Sequence, residues 1–256
     1  MKPIDLNVVY ALWRREMRRL RRSPSRIFGS LAMPMLFMLF LGTGFNSLDL
    51  GGLPDGVSYL QFLVPGIVGM TMLFTSSFAG MSVLWDRENG FLKEVLVAPA
   101  SRVSIVLGRI AGGGTMAVIQ GVLMLAFSLT LGFRPVSVLA LPVALLFLVL
   151  IAATFIGMGI SFASNMRDTQ GFGMVMNLVI FPVFFLSGAI YPVQNLPLFL
   201  RPLSYLNPLT YGVDGLRASL IGVSMFPVVV DLAALAVFAA GLVVMGAYFF
   251  ERMEVN

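Results

Sequence analysis

Residues 59–84 read YLQFLVPGIVGMTMLFTSSFAGMSVL, and residues 85–102 follow as WDRENGFLKEVLVAPASR. The first stretch holds no charged residue and exceeds the ~20 apolar residues that a helix needs to cross about 30 Å of hydrocarbon. The second packs five charges between Asp86 and Glu94, in a chain that is 58% hydrophobic and only 11% charged. A bland connector between two membrane spans has no need of them. The pattern predicts a short amphipathic helix, started after Asn89-Gly90 and stopped by Pro99, which lacks a backbone donor and disfavours helix in the residue before it. Phe91, Leu92, Val95 and Leu96 fall at helical spacing, while Lys93 and Glu94 point elsewhere. Such an element at the mouth of a membrane bundle suits docking into a groove on a soluble partner. A solvated loop kept out of lipid by its charges has the same composition.

Outward from this segment, the apolar runs repeat. A mean hydropathy of +0.93 excludes an ordinary soluble domain, and six candidate spans can be read at about 27–45, 59–84, 103–132, 138–164, 171–190 and 226–250. The second and third exceed a minimal span, which permits tilt or projecting ends. No A-x-A-like cleavage site ends the first run, so it reads as a retained span. With six spans both termini share one side with segments 85–102 and 165–170. That side collects all of the 17 basic residues except Arg134, Arg201 and Arg217. The positive-inside rule places it, and both termini, in the cytoplasm. A pI near 10.0 follows from that asymmetry, and nucleic-acid binding needs no separate hypothesis.

Residues 1–26 form a segment of their own ahead of the transmembrane domain, 27–256. Wrapped at ~100° per residue, they put Val9, Tyr10, Leu12, Trp13, Met17 and Leu20 on one arc and Arg14, Arg15, Arg18, Arg19, Arg21 and Arg22 on the other. Glu16 falls on the apolar side and breaks the pattern once. The reading is an interfacial helix, with Trp13 at the acyl boundary and Arg14, Arg18 and Arg22 among anionic headgroups of membrane lipid. Residues 191–225 are too long for a turn and too polar to span, and prolines 192, 197, 202 and 208 divide them. They read as one or two short helices re-entering from the outer side, tolerable at membrane depth only when packed on protein or lining a cavity. No internal repeat is apparent, which argues against inverted-repeat transporter architectures.

Cysteine and histidine are both absent. Their absence removes disulfides, thiol nucleophiles, imidazole bases and the usual transition-metal sites together. Gly112-Gly113-Gly114 lies in an apolar span without the Lys-Ser/Thr ending of a phosphate loop. Catalytic, cofactor and metal residues are therefore expected to be none. Ionisable groups within spans are functional candidates by default, yet only Arg109 near one end of the third span and Asp231 at the hydrated start of the sixth qualify. Coupling to an ion gradient finds no residue to work on. The middle of the second span is Met, Phe, Ser and Thr instead. Polarisable and aromatic faces suit a hydrophobic or amphipathic substrate, although the same residues pack helices. Phe74, Phe78, Asn177 and Phe184 are the candidates for a substrate pathway. Gly108-x-x-x-Gly112 reads as close helix packing rather than a site.

Two blocks carry a family resemblance. Glu88-x-Gly90, then Glu94, Leu96, Pro99, Ser101 and Arg102, with Gly108-Arg109 beyond, resembles the cytoplasmic loop of ABC-2-type permeases. Residues 185–192, FLSGAIYP, then Pro197, residues 206–212, LNPLTYG, and Arg217 look like that family's C-terminal signature. Together with the layout of spans the resemblance covers essentially the whole chain, and is closest to daunorubicin-resistance-like multidrug exporters. It implies an all-α membrane subunit in the cell (inner or plasma) membrane, paired with a second permease copy as a homodimer. It also implies two copies of a cytoplasmic ABC ATPase that hold MgATP, so that this chain itself is no enzyme. Asp86, Arg87, Glu88, Gly90, Phe91, Lys93, Glu94, Pro99 and Arg102 are then the residues expected to couple to the ATPase. The expected cargo is an amphipathic drug or lipid. Export of a polysaccharide or glycolipid by the same machinery is the alternative, and a non-transporting membrane assembly scaffold is the reading from a different class.

Overall fold

The computed structural model describes residues 5–22, 24–45, 53, 56–90 and 101–253. Every regular element among them is helical. Helix α1 (Leu6–Arg22) precedes α2 (Pro24–Gly44), α3 (Tyr59–Ala79), its short continuation α4 (Ser82–Glu88), and α5 (Arg102–Thr130). Then come α6 (Leu141–Asn165), α7 (Thr169–Leu186), the short α8 (Arg201–Tyr205), α9 (Pro208–Ile221) and α10 (Val228–Arg252). Six of these stretches are long and apolar enough to cross a membrane, α3 and α4 counting together. The all-α, six-span class expected from the sequence is the one observed.

Local chemistry sets the helix ends. The Ser58 hydroxyl accepts from the Gln61 N–H at 3.3 Å, and the Ser58 N–H donates back to Gln61 Oε1 at 3.1 Å. This reciprocal capping box begins α3 and accounts for the polar Gln61 in an apolar run. Ser101 and Asp168 cap α5 and α7 by accepting from Ser104 and Gly171 at 3.2 and 2.6 Å, each satisfying a donor that the helix leaves open. Asn207 caps α9 through Leu209 while its amide donates to the Val183 carbonyl at 2.6 Å. Gly222, at φ +74°, closes the same helix in the left-handed conformation that glycine adopts most easily.

Helix α6 is the centre of the bundle and packs against α3, α5, α9 and α10. Its contact with the second span is made by backbone. A Cβ on Gly80 would sit 2.3 Å from the Gly159 carbonyl carbon, and one on Gly159 would sit 2.2 Å from the Ser77 carbonyl oxygen. Small residues permit this approach where apolar lipid supplies no hydrophobic drive between helices. Burial then sorts the spans. Of its most apolar stretch the second span buries 78%, whereas the first and fifth bury 22% each. Phe28, Phe40, Met174 and Leu178 project from those two into the surroundings.

The segment expected to re-enter folds as a 3-10 turn at Val193–Asn195, α8 and α9. Helix α9 is buried among α3, α6 and α10, the protein packing that non-spanning backbone at membrane depth would require. One expectation fails here. Asp231, expected at a hydrated helix start, is fully buried. Packing of α9 on α10 sets Asp214 beside it and closes it from solvent.

Candidate functional site

At the end of the bundle that carries most of the arginines, α1 lies along α5. Gly108 and Gly112 make its seat. Cβ atoms added there would stand 2.9 Å from Leu12 Cβ and 2.9 Å from Glu16 Cβ, respectively. The Gly-x-x-x-Gly pair thus serves helix packing, and its partner is the N-terminal helix. Trp13 stacks on Tyr10 and donates its indole N–H to Thr115 Oγ1 at 3.1 Å. The apolar arc of α1 therefore meets protein along part of its length, while Arg14, Arg18 and Arg22 remain exposed.

Beside this seat, α4 presents Asp86 to two arginines from different helices. Arg15 of α1 reaches Asp86 Oδ1 at 2.7 Å and Oδ2 at 3.4 Å, and Arg109 of α5 reaches Oδ2 at 2.8 Å. Arg109 also donates to the Ser82 hydroxyl at 3.1 Å, and Phe250 of α10 lies 5.9 Å beneath its guanidinium. A two-oxygen acceptor facing two planar donors gives charge-assisted bonds with fixed direction. One carboxylate thereby joins three helices. Arg19 of α1 adds a cation–π contact at 5.1 Å to Trp85.

The flanks of segment 85–102 grip the rest of this end. Arg87 donates to the Met166 carbonyl at 3.3 Å, and the Glu88 carboxylate accepts from the Thr169 N–H at 3.1 Å. Arg102 donates to the main-chain carbonyl of Glu251 at the end of α10. Gly90, exposed at φ +72°, turns the chain just past α4. Phe91, Lys93, Glu94 and Pro99 lie outside the described residues, as does the helix expected over them.

Above the arginine cluster a cavity of about 440 Å³ opens between α1, α2, α3, α5 and α7. Three of the four proposed pathway residues, Phe74, Phe78 and Phe184, line it. Asn177 does not: it is exposed on α7, on the face that carries Met174 and Leu178 outward. Phe181 meets Phe74 edge-on at 5.8 Å and stacks on Phe185. The polar spot in this aromatic wall is Gln120, buried, which accepts from the Thr75 hydroxyl and donates to Ser30 Oγ at 2.8 Å. Glu16 and Arg19 line the same space from α1. Such a pocket has the size and apolar lining of sites for drug-sized ligands.

Sequence reading singled out Asp86 and Arg109 without placing them together, and it missed Arg15 as their partner. Arg15 is one of six arginines on α1, and only α4 folding back beside that helix distinguishes it. Gln120 was visible as a polar residue in a span, but its partners Ser30 and Thr75 come from two other helices. Arg217, assigned to the family signature, is buried on α9. It donates to the Gly188 and Phe62 carbonyls at 3.1 and 3.4 Å, with its guanidinium 3.7 Å from the centre of the Phe62 ring.

The described residues hold six helices long and apolar enough to span a membrane and a largely apolar cavity, and residues 7–221 match the family model of the ABC-2 type transporter. The chain belongs to that family. It is 30% identical over 232 residues to the inner membrane transport permease YadH of Escherichia coli (strain K12), covering 89% of this chain and 88% of that one. Nodulation protein J of Sinorhizobium fredii (strain NBRC 101917 / NGR234) is 27% identical, over 90% of this chain and 87% of its own length. The putative transport permease ycf38 of Pyropia yezoensis is 28% identical over 85% and 72%. The protein is thus a multi-pass membrane permease of an ABC transporter. Membership in the family implies an ABC ATPase as partner in general.

Proposed function

We propose that this permease exports amphipathic, drug-like or lipid-like molecules from the cytoplasm or inner leaflet, driven by MgATP hydrolysis in a separate ATPase subunit. It sits in the inner or plasma membrane with both termini cytoplasmic, pairs with a second copy of itself, and binds two ATPase subunits. The observation that carries this reading is the cavity: about 440 Å³ lined by phenylalanine and methionine, with a single amide in its wall. A glycan presents hydroxyls along its whole length. Ser30, Thr75 and Gln120 already bond one another and offer few free partners to it. That supports the drug or lipid reading over polysaccharide export.

Power reaches the cavity through segment 85–102. ATPase closure pushes on the loop, and Asp86 passes the displacement to α1 through Arg15 and to α5 through Arg109. Both helices line the cavity. The change is a two-state rearrangement biased by differential contacts at the loop. The permease itself makes and breaks no covalent bond.

Export of two chemically different amphiphiles by the permease co-expressed with its ATPase tests this. Phe74→Ala shifts their ratio by about 1–3 kcal/mol in transition-state terms, because one substrate buries more area against the ring than the other. An unchanged ratio together with a lowered melting temperature assigns Phe74 to packing and overturns its role in the pathway. ATP hydrolysis that no amphiphile stimulates favours the scaffold.

A further inference from the structure

Glu16 is the residue that breaks the amphipathic pattern of α1, and nothing derived above accounts for it. A carboxylate on an apolar helix face loses hydration, and that cost is normally offset by a partner. Glu16 is half-buried, packs its stem on Gly112 and lines the floor of the large cavity. It makes neither of the two ion pairs among the described residues. Of the cations around it, Arg15 and Arg109 are paired with Asp86, and the guanidinium of Arg19 lies over the face of Trp85. Arg109 is near enough to feel its charge, but not as an ion pair. Glu16 is thus a carboxylate of this floor without an ion-pair partner among the described residues, and it lies below an aromatic chamber.

We propose that Glu16 is the specificity-determining group of the cavity, receiving the protonated amine of a cationic amphiphile whose apolar body lies among Phe37, Phe74, Phe78 and Phe184. The proposal rests on the reading of the cavity as the substrate's place. Three arginines outnumber Glu16 and Asp86 at the floor, so a cation is not drawn in by long-range attraction. Recognition comes from contact, as a charge-assisted hydrogen bond formed once the apolar body is seated. An anionic headgroup meets two arginines already paired with Asp86 and a carboxylate that repels it. An alkyl amine from a lipid and a drug-sized aromatic amine both have the required chemistry.

Full-length protein in nanodiscs of neutral lipid, with empty discs subtracted, is titrated with two matched pairs. Imipramine and its uncharged ring system iminodibenzyl represent a drug, and dodecylamine and dodecanol represent a lipid. In the wild type at least one amine binds more tightly than its neutral mate, and which pair shows the preference identifies the source. Glu16→Gln weakens that amine by about tenfold, the worth of one charged hydrogen bond, and leaves the neutral mate unchanged. Glu16→Asp keeps most of the preference. Equal loss for amine and neutral probe, or no loss for either, overturns the role of Glu16. If no probe binds the wild type, or if Phe74→Ala leaves every affinity unchanged, the cavity reading itself fails and takes this proposal with it.

Discussion

The two ends of the bundle each bury an arginine, and they hold it in different ways. At the basic end Arg109 is bound by side chains, Asp86 and Ser82, both borne by α4. At the opposite end Arg217 is bound by main-chain carbonyls of Phe62 and Gly188. Its neighbour Asp214 accepts from the main-chain N–H groups of Met225 and Phe226 at 2.8–2.9 Å. Bonds from side chain to main chain fix the course of a loop and cannot be exchanged without remaking it. Bonds between side chains on separate helices can be lengthened or traded as the helices slide. The basic end also has side chain-to-main chain bonds, from Arg87, Glu88 and Arg102, but only there is a carboxylate shared between arginines of two helices. We treat the opposite end as a cap and propose the basic end as a joint.

Breaking the cap has the largest expected effect. Arg217→Met removes the bonds to α3, at the Phe62 carbonyl, and to the turn after α7, at the Gly188 carbonyl, and leaves Asp214 buried without the charge near it. Two buried carbonyls lose a charged donor, which costs about 3 kcal/mol or more. Chemical unfolding of the purified protein in detergent should show that loss, with poor membrane yield. A variant as stable as the wild type denies the cap its structural role.

Asp86→Asn comes second, and its signature differs. Arg109 loses its counter-charge where its side chain is only 8% exposed, so about 2 kcal/mol of stability is expected to go. The larger consequence is functional. With the carboxylate gone, movement of the loop no longer carries α1 and α5, and ATP hydrolysis persists while export falls severalfold. Parallel loss of hydrolysis and export, in proportion to protein yield, reduces Asp86 to a structural residue.

The contrast between cap and joint was only half legible in the sequence. Spans, their order and the polar loop followed from hydropathy and charge, because a bilayer demands long apolar helices whatever their neighbours. The seat of α1 was visible as Gly108 and Gly112, but nothing local says which helix uses a small-residue pair. The cavity was visible as aromatic and methionine content. Asn177 lies away from the cavity because packing sets the rotation of α7 and turns Asn177 to the outer face with Met174 and Leu178, which the sequence does not specify. Asp231 was read as hydrated because its neighbour Asp214 lies seventeen positions earlier, on a helix whose fold-back no pattern in the sequence specifies.

Within the joint, the two arginines are not equal. A double-mutant cycle between Asp86 and each arginine separates them. The side chain of Arg15 is 41% exposed and that of Arg109 8%. Water and salt screen the first, so its coupling energy is expected near 0.5 kcal/mol, against about 1–3 kcal/mol for the second. Raising ionic strength should erase the Arg15 coupling and spare that of Arg109. The reverse order places the grip of α4 on α1 rather than on α5.

The smallest effect concerns what holds α1 down. Trp13 and Thr115 hold this helix to protein, and we propose that Arg14, Arg18 and Arg22 also draw it to anionic lipid. The two forces separate by solvent. Trp13→Phe keeps the stack on Tyr10 and removes one indole N–H bond. The expected cost is about 0.5–1 kcal/mol in neutral detergent and in lipid alike, since the partner is Thr115 in both. Replacing Arg14, Arg18 and Arg22 by glutamine removes no bond to the described protein and should be silent in neutral detergent. In anionic bilayers it should weaken attachment of α1 by up to about 1 kcal/mol per arginine. Accessibility of Trp13 to an aqueous quencher, with Trp85 replaced by phenylalanine, reports the attachment directly. If the glutamine variant exposes Trp13 even in neutral detergent, the arginines hold α1 through protein, and the helix belongs to the joint along both of its faces.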